Sequence, residues 1–206
     1  MAIILIVSKT KMSNGICVGG INEDTNEFIR IHNEHGGNLS SDVPYEIGDR
    51  WEMHVEKAWN ARPKPHVEDM QTVAIEKIEN VGGSGIIDYI KGHYRSFGKR
   101  LTCGRLQYTF EGCLHIEGTK NFINEDKVPS FSTQFWIPDK DLVRRTCFGN
   151  HYYMYDGSIR IKFVGCQTPI GRIPRRTIIR LSLANWWSGD GSNENRCYLQ
   201  LSGWYM

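Results

Sequence analysis

Residues 158–206, SIRIKFVGCQTPIGRIPRRTIIRLSLANWWSGDGSNENRCYLQLSGWYM, decide the fold. Three runs within this stretch, 159–164, 177–183 and 196–201, alternate apolar with polar or basic residues. Alternation with a period of two residues is typical of a half-buried β-strand. The three runs therefore predict three strands of one sheet.

Basic side chains are concentrated in the same stretch. From residue 159 onward it carries seven Lys and Arg residues against two acidic ones, whereas the whole chain has a formal net charge of only +2. Such clustering is the usual electrostatic footprint of a polyanionic partner, and exposed rings beside the cations can stack nucleobases. The alternative is an ordinary sheet with a solvated basic face and aromatic core residues. The candidate nucleic-acid-binding residues are Lys9, Lys11, Arg30, Arg160, Lys162, Arg175, Arg176, Arg180, Trp186 and Trp187.

The rest of the chain also favours strands. Residues 2–7, 16–21 and 27–31 predict a meander with a tight turn at Asn14-Gly15, and residues 51–58 and 73–78 predict two more strands. The main helix is predicted over 84–97, with Gly98 as the residue that stops it. Beyond it, 106–110, 114–117 and 133–137 predict short strands and 139–146 a turn of helix. We expect a mostly β fold, two small β-barrels in tandem with one main α-helix, divided into 1–100 and 101–206.

Composition narrows the class of protein. With 206 residues, 40% of them hydrophobic and 23% charged, the chain is expected to be globular. No apolar run approaches the roughly 20 residues of a membrane-spanning helix, and no secretory signal is recognisable, so we expect no membrane partner and a cytoplasmic location. The six cysteines include no CxxC pair, which favours reduced thiols. Cys113, His115, Cys147 and His151 are spaced too loosely for a zinc site, so we predict neither metal nor cofactor.

Several segments resemble the bacterial dual OB-containing domain family. They are VSKTKMSNGICVGGI (7–21), EFIRI (27–31), YEIGDRWEM (45–53), PHVEDM (65–70), RTIIRLSLANWW (176–187) and RCYLQLSGWY (196–205). The resemblance implies two OB barrels in tandem and nucleic-acid binding, often in bacterial defence or conflict. It implies no active site.

Three functions remain open at this point. The first is a non-catalytic module that binds single-stranded or structured nucleic acid. The second is a protein-interaction or small-ligand domain, because arginine and aromatic residues also mark protein interfaces. The third is a metal-dependent nuclease, for which Pro138-Asp139 and the earlier Glu68-Asp69 are the candidates; no Glu-x-Lys follows Asp139, which disfavours this class. His66 beside Glu68 and Asp69 is a further acid-base candidate.

Overall fold

A computed structural model describes residues 1–12, 15–58, 62–189 and 194–206. The predicted turn at Asn14-Gly15 includes a residue outside these ranges. The protein is mostly β, as predicted, and its contacts divide it into two compact units. The first comprises Met1–Arg62, Glu68–Gly98 and Tyr205–Met206; the second comprises Pro63–Val67 and Lys99–Trp204. The predicted division at residue 100 stays a prediction.

The first unit is a closed β-barrel. Its elements are β1 (Ala2–Lys11), β2 (Ile16–Asn22), β3 (Glu27–His32), β4 (Asp49–Lys57), β5 (Asp69–Asn80) and the helix α1 (Gly82–Gly92). The strand order is β1-β2-β3-β5-β4, with β4 returning to β1 and β3 parallel to β5. Ile4, Ile6, Val18 and Ile31 are among the side chains that fill the barrel.

The helix α1 is shorter than predicted. It ends at Gly92 rather than Phe97, and turns occupy the intervening residues. Glycine has low helix propensity, and the Nδ1 atom of His93 lies 2.9 Å from the carbonyl oxygen of Tyr89. That carbonyl also accepts the His93 amide, which caps the helix at this point. The apolar periodicity of the sequence continues beyond the helix because Phe97, which lies in a turn, packs edge-on against Phe28.

The second unit contains a larger sheet. Its strands are β6 (Leu101–Gly104), β7 (His115–Glu117), β8 (Lys120–Asn124), β9 (Thr133–Pro138), β10 (Leu142–Cys147), β11 (Asn150–Tyr155), β12 (Ile159–Phe163), β13 (Arg172–Ile173), β14 (Ile178–Leu183) and β15 (Arg196–Tyr205). The main order is β13-β10-β11-β12-β15-β14-β9-β6, and β8 pairs with both β7 and β15. The three runs quoted at the outset become β12, β14 and β15, so the prediction of one shared sheet is confirmed.

The second unit repeats the strand connections of the first. β9 and β10 are successive segments separated by residues 139–141, and they pair with β14 and β11 respectively. Taken as one interrupted strand, they correspond to β1, which pairs with β4 and β2. β12 lies parallel to β15, as β3 lies parallel to β5. Both units thus have the order of a five-stranded Greek-key barrel.

Two local predictions are wrong. Residues 106–110 form short 3-10 turns instead of a strand, and Phe110 and Glu111 have positive φ values of 50° and 59° that no strand accommodates. Residues 142–147 form β10 instead of a helical turn. There the ladder with β11 outweighs local helix propensity.

Candidate nucleic-acid interface

A groove crosses one face of the second unit. Strand pairing aligns three of its side chains in a row, because Tyr152 opposes Lys162 and Lys162 opposes Gln200. In the next row Met154 opposes Arg160. Residues two apart share a face of a strand, so these side chains share one surface. Their chain neighbours Tyr153 and Ile161 are buried on the opposite side, in the core.

The groove combines positive charge with aromatic rings and has a volume of about 400 Å³. Among the described residues, its lining includes three cations, three rings and no carboxylate. The full lining is Thr119, Lys120, Asn121, Tyr152, Arg160, Lys162, Trp187, Tyr198, Leu199 and Gln200. This surface can attract an anion and stack a flat ring at the same place.

Arg160 is held in position by two neighbours. Its guanidinium carbon lies 4.6 Å from the centre of the Tyr152 ring, which is a cation–π distance. Behind it, the Nδ2 atom of Asn121 donates to the Arg160 carbonyl oxygen at 2.8 Å. The charged end of Arg160 therefore lies over a ring while its backbone is fastened to β8.

A pair of aromatic rings lies on the groove wall. The rings of Trp187 and Tyr198 meet edge to face, with centroids 6.0 Å apart. The backbone of Trp187 pairs with Arg196 at the start of β15, which fixes the indole beside the strand that carries Tyr198. Trp187 is 49% exposed, so part of its ring is available to a ligand.

The model of the dual OB-containing domain family matches residues 2–204. The chain belongs to this family. Comparison with curated proteins and with solved structures finds no match. OB-fold domains generally bind nucleic acids or other ligands. In the described part of the chain, no helix combines the length and apolar character needed to cross a bilayer.

The groove of this dual OB protein lies where OB barrels generally bind oligomers. Oligonucleotides and oligosaccharides contact the face of strands 2 and 3 together with the loops that join strands 1 to 2 and 4 to 5. In the second unit these strands are β11 and β12, which carry Tyr152, Arg160 and Lys162. Trp187 lies in the connection from β14 to β15. Fold position and local chemistry thus indicate the same surface.

Of the ten binding residues predicted from the sequence, the groove lining contains Arg160, Lys162 and Trp187. Trp186 points elsewhere, since its Nε1 donates to the Lys64 carbonyl oxygen at 2.9 Å and its ring packs against the core. Arg175 and Arg176 are exposed in the connection before β14. There the Arg175 amide donates to Asp141 and the Arg176 amide to Pro138.

Arg180 and Arg30 are buried, with exposed fractions of 3% and 9%. The Arg30 Nε atom lies 2.9 Å from Asp69, which also faces His32 at 3.2 Å and Arg62 at 3.6 Å. Burial raises the pKa of Asp69, but the contact with His32 and the charges of Arg30 and Arg62 outweigh it, so the pKa lies below its usual value. Neither arginine belongs to the interface that we propose, because neither is accessible.

The two lysines of the first loop differ in their surroundings. Lys9 contacts Glu46 at 2.9 Å, and only 12% of its side chain is exposed. Lys11 is exposed at the end of β1. Both belong to the first unit, and their predicted contact with nucleic acid stays a prediction.

The catalytic candidates from the sequence lie in structural contacts. Asp139 accepts a hydrogen bond from the Tyr155 hydroxyl at 2.6 Å, and Asp69 lies in the Arg30 cluster. His66 is buried and its Nε2 lies 3.7 Å from the Cys197 sulfur, but burial raises the pKa of that thiol to about 12, which disfavours a nucleophilic thiolate. Within the described ranges, no group of three or more His, Cys, Asp or Glu side chains is arranged to hold a metal ion.

Sequence reasoning missed Tyr152, Tyr198 and Lys120. The segment NHYYMY (150–155) does not alternate in polarity, because Tyr152 and Tyr153 lie on opposite faces and share one residue type. Tyr198 lies within the predicted strand 196–201. In the pattern CYLQL it is two residues from Gln200, so the shared strand face was the available signal. Lys120 is the first residue of β8, a strand that the sequence did not indicate, so it carried no signal.

Proposed function

We propose that the second unit binds single-stranded nucleic acid across the groove formed by β11, β12 and β15. The observation that carries this function is the convergence of Lys120, Arg160 and Lys162 with Tyr152, Trp187 and Tyr198 on one lining that lacks a carboxylate among its described members. The cations attract phosphates whatever the sequence, and the rings stack bases. Stacking requires bases that are free of a duplex partner, which favours single strands.

The proposal predicts a strong dependence of binding on salt. Each phosphate neutralised by Lys or Arg releases counterions, so the logarithm of the binding constant falls linearly with the logarithm of salt concentration. We expect fluorescence anisotropy with single-stranded DNA and RNA to show this fall, and duplex DNA of equal length to bind more weakly. Equal binding of duplex and single strands would argue against the stacking part of the proposal.

The decisive variant is Lys162→Ala. Lys162 is exposed on the groove face, so its loss removes one phosphate contact without disturbing the core. We expect weaker binding of all sequences and a salt slope reduced by roughly one. The matched control is Lys91→Ala, which removes an exposed lysine from the last turn of α1 in the first unit. The function fails if both variants bind like the unaltered protein.

A protein partner is the second candidate, and exposed apolar side chains on one strand of the first unit favour it. Val73, Ile75 and Ile78 on β5 are 47%, 46% and 46% exposed. Exposed apolar patches on β-strands commonly mark interaction sites. Affinity capture with and without nuclease treatment distinguishes the two functions, because a direct protein partner survives the nuclease. A role in bacterial defence stays a prediction from family membership.

A further inference from the structure

The turn between β10 and β11 holds one aromatic ring entirely in solvent. Cys147 pairs with Asn150, so the hairpin is closed by the two residues Phe148 and Gly149. Phe148 is 99% exposed. Burial of apolar area is what normally retains a phenylalanine in a folded chain, and it does not account for this one.

The backbone of this turn also disfavours phenylalanine. Phe148 and Gly149 have φ values of 47° and 74°. Two-residue turns with positive φ at both positions favour Asn-Gly or Asp-Gly, because a bulky side chain is strained in the left-handed region. In the next hairpin of the same sheet, whose loop has three residues, the two successive positive φ values belong to Asp156 at 53° and Gly157 at 74°. Phe148 therefore occupies a position where neither packing nor turn geometry requires an aromatic residue.

The turn directly precedes β11, the strand that carries Tyr152 of the groove lining. Arg145 opposes Tyr152, and Cys147 and Asn150 follow as a pair on the same face of the sheet. Since a strand rises about 3.3 Å per residue, Phe148 lies roughly 10 Å beyond the Arg145–Tyr152 pair. The loop between strands 1 and 2 of an OB barrel is also one of its general binding elements.

We propose that Phe148 is a stacking residue that receives a base of the same single strand at the tip of the hairpin between β10 and β11. This inference rests on the proposed function and adds to it a second stacking position outside the groove lining. Strain that is retained at an exposed position is typical of functional residues. The ring extends the interface from β12 and β15 to the tip of the hairpin.

The test is the substitution Phe148→Asn, which has opposite effects on stability and binding. Asparagine fits the turn, so we expect the melting temperature to rise by about 2–4 °C. Loss of one stacked base should weaken binding of a 20-nucleotide single strand by roughly fivefold or more. The salt slope should stay unchanged, because no phosphate contact is lost.

Two further variants complete the test. Phe148→Tyr keeps the ring and should bind like the unaltered protein, whereas Tyr108→Asn removes an aromatic residue that is 57% exposed outside the groove lining and should change nothing. Unchanged affinity of Phe148→Asn, or equal losses in Phe148→Asn and Phe148→Tyr, overturns the inference while the proposed function stands. Failure of the unaltered protein to bind any single strand overturns both.

Discussion

At the scale of single residues, the groove separates two kinds of contact that respond differently to salt. Tyr152 lies under the Arg160 guanidinium and contributes a flat apolar surface rather than charge. We expect Tyr152→Leu to weaken single-strand binding by roughly 5- to 150-fold, the equivalent of one stacked base. Anisotropy at two ionic strengths should give Tyr152→Leu the same salt slope as the unaltered protein. A slope that falls as in Lys162→Ala would contradict a stacking role.

Asp69 gives a second prediction at this scale, on stability. Its side chain is 4% exposed and contacts the Arg30 guanidinium, so Asp69→Asn removes the negative charge of a buried ion pair at a cost of about 3–5 kcal/mol. The pKa of Asp69 is lower in the folded protein than its usual value of 3.8, so the stabilisation is present above that value and is lost as the pH falls through the folded pKa.

Urea unfolding at pH 7 and pH 3 measures both effects. The unaltered protein should lose stability between these pH values, and Asp69→Asn should lose less because the titrating group is gone. Since Asp49 also has a lowered pKa, some acid sensitivity remains in the variant. Equal pH dependence in the two proteins would show that the ion cluster does not contribute.

Residue-level prediction from sequence reached only part of the site, for a physical reason. Alternation assigned Arg160 and Lys162 to one strand face and Ile161 to the other, and this is what the structure has. Alternation does not state which face of a strand other elements cover. Arg180 was therefore predicted as a binding residue, although it is only 3% exposed. The Arg30–Asp69 pair depends on the parallel contact of β3 with β5, which no local pattern encodes.

At the scale of elements, β8 supports the binding strand β12. Asn121 is 4% exposed, and its Nδ2 donates to the Arg160 carbonyl oxygen at 2.8 Å. We expect Asn121→Ala to lower the free energy of unfolding by about 1–2 kcal/mol through the lost hydrogen bond. Binding should weaken as well, because Arg160 loses its backbone support. Thermal unfolding and anisotropy on the same sample measure the two losses.

A control for that prediction is Asn124→Ala on the same strand, which lies outside the groove lining. It should leave binding unchanged. If Asn121→Ala binds single strands as tightly as the unaltered protein, β8 does not position the site. Most strands were predictable from the sequence, whereas the turn of helix predicted over 139–146 is wrong because β10 pairs with β11 in a two-residue hairpin.

At the scale of the whole molecule, two units of the same strand order differ on the face of their strands 2 and 3. On β3 of the first unit, Arg30 and His32 are buried and face Asp69. On β12 of the second unit, Arg160 and Lys162 line an open groove. Since fold alone does not fix function, this difference in local charge is the reason that we propose binding by the second unit.

The last prediction concerns Tyr205, which is near the end of the chain but belongs to the first unit. Its ring is 3% exposed, and its hydroxyl donates to the carbonyl oxygen of Val7 in β1. We expect Tyr205→Phe to cost about 1 kcal/mol, from the lost hydrogen bond, and Tyr205→Ala about 3–5 kcal/mol, from the added cavity. Thermal unfolding measures both, and single-strand binding by the folded variants should stay unchanged because Tyr205 lies outside the groove lining. Equal melting temperatures for Tyr205→Ala and the unaltered protein would show that this ring does not support the first barrel.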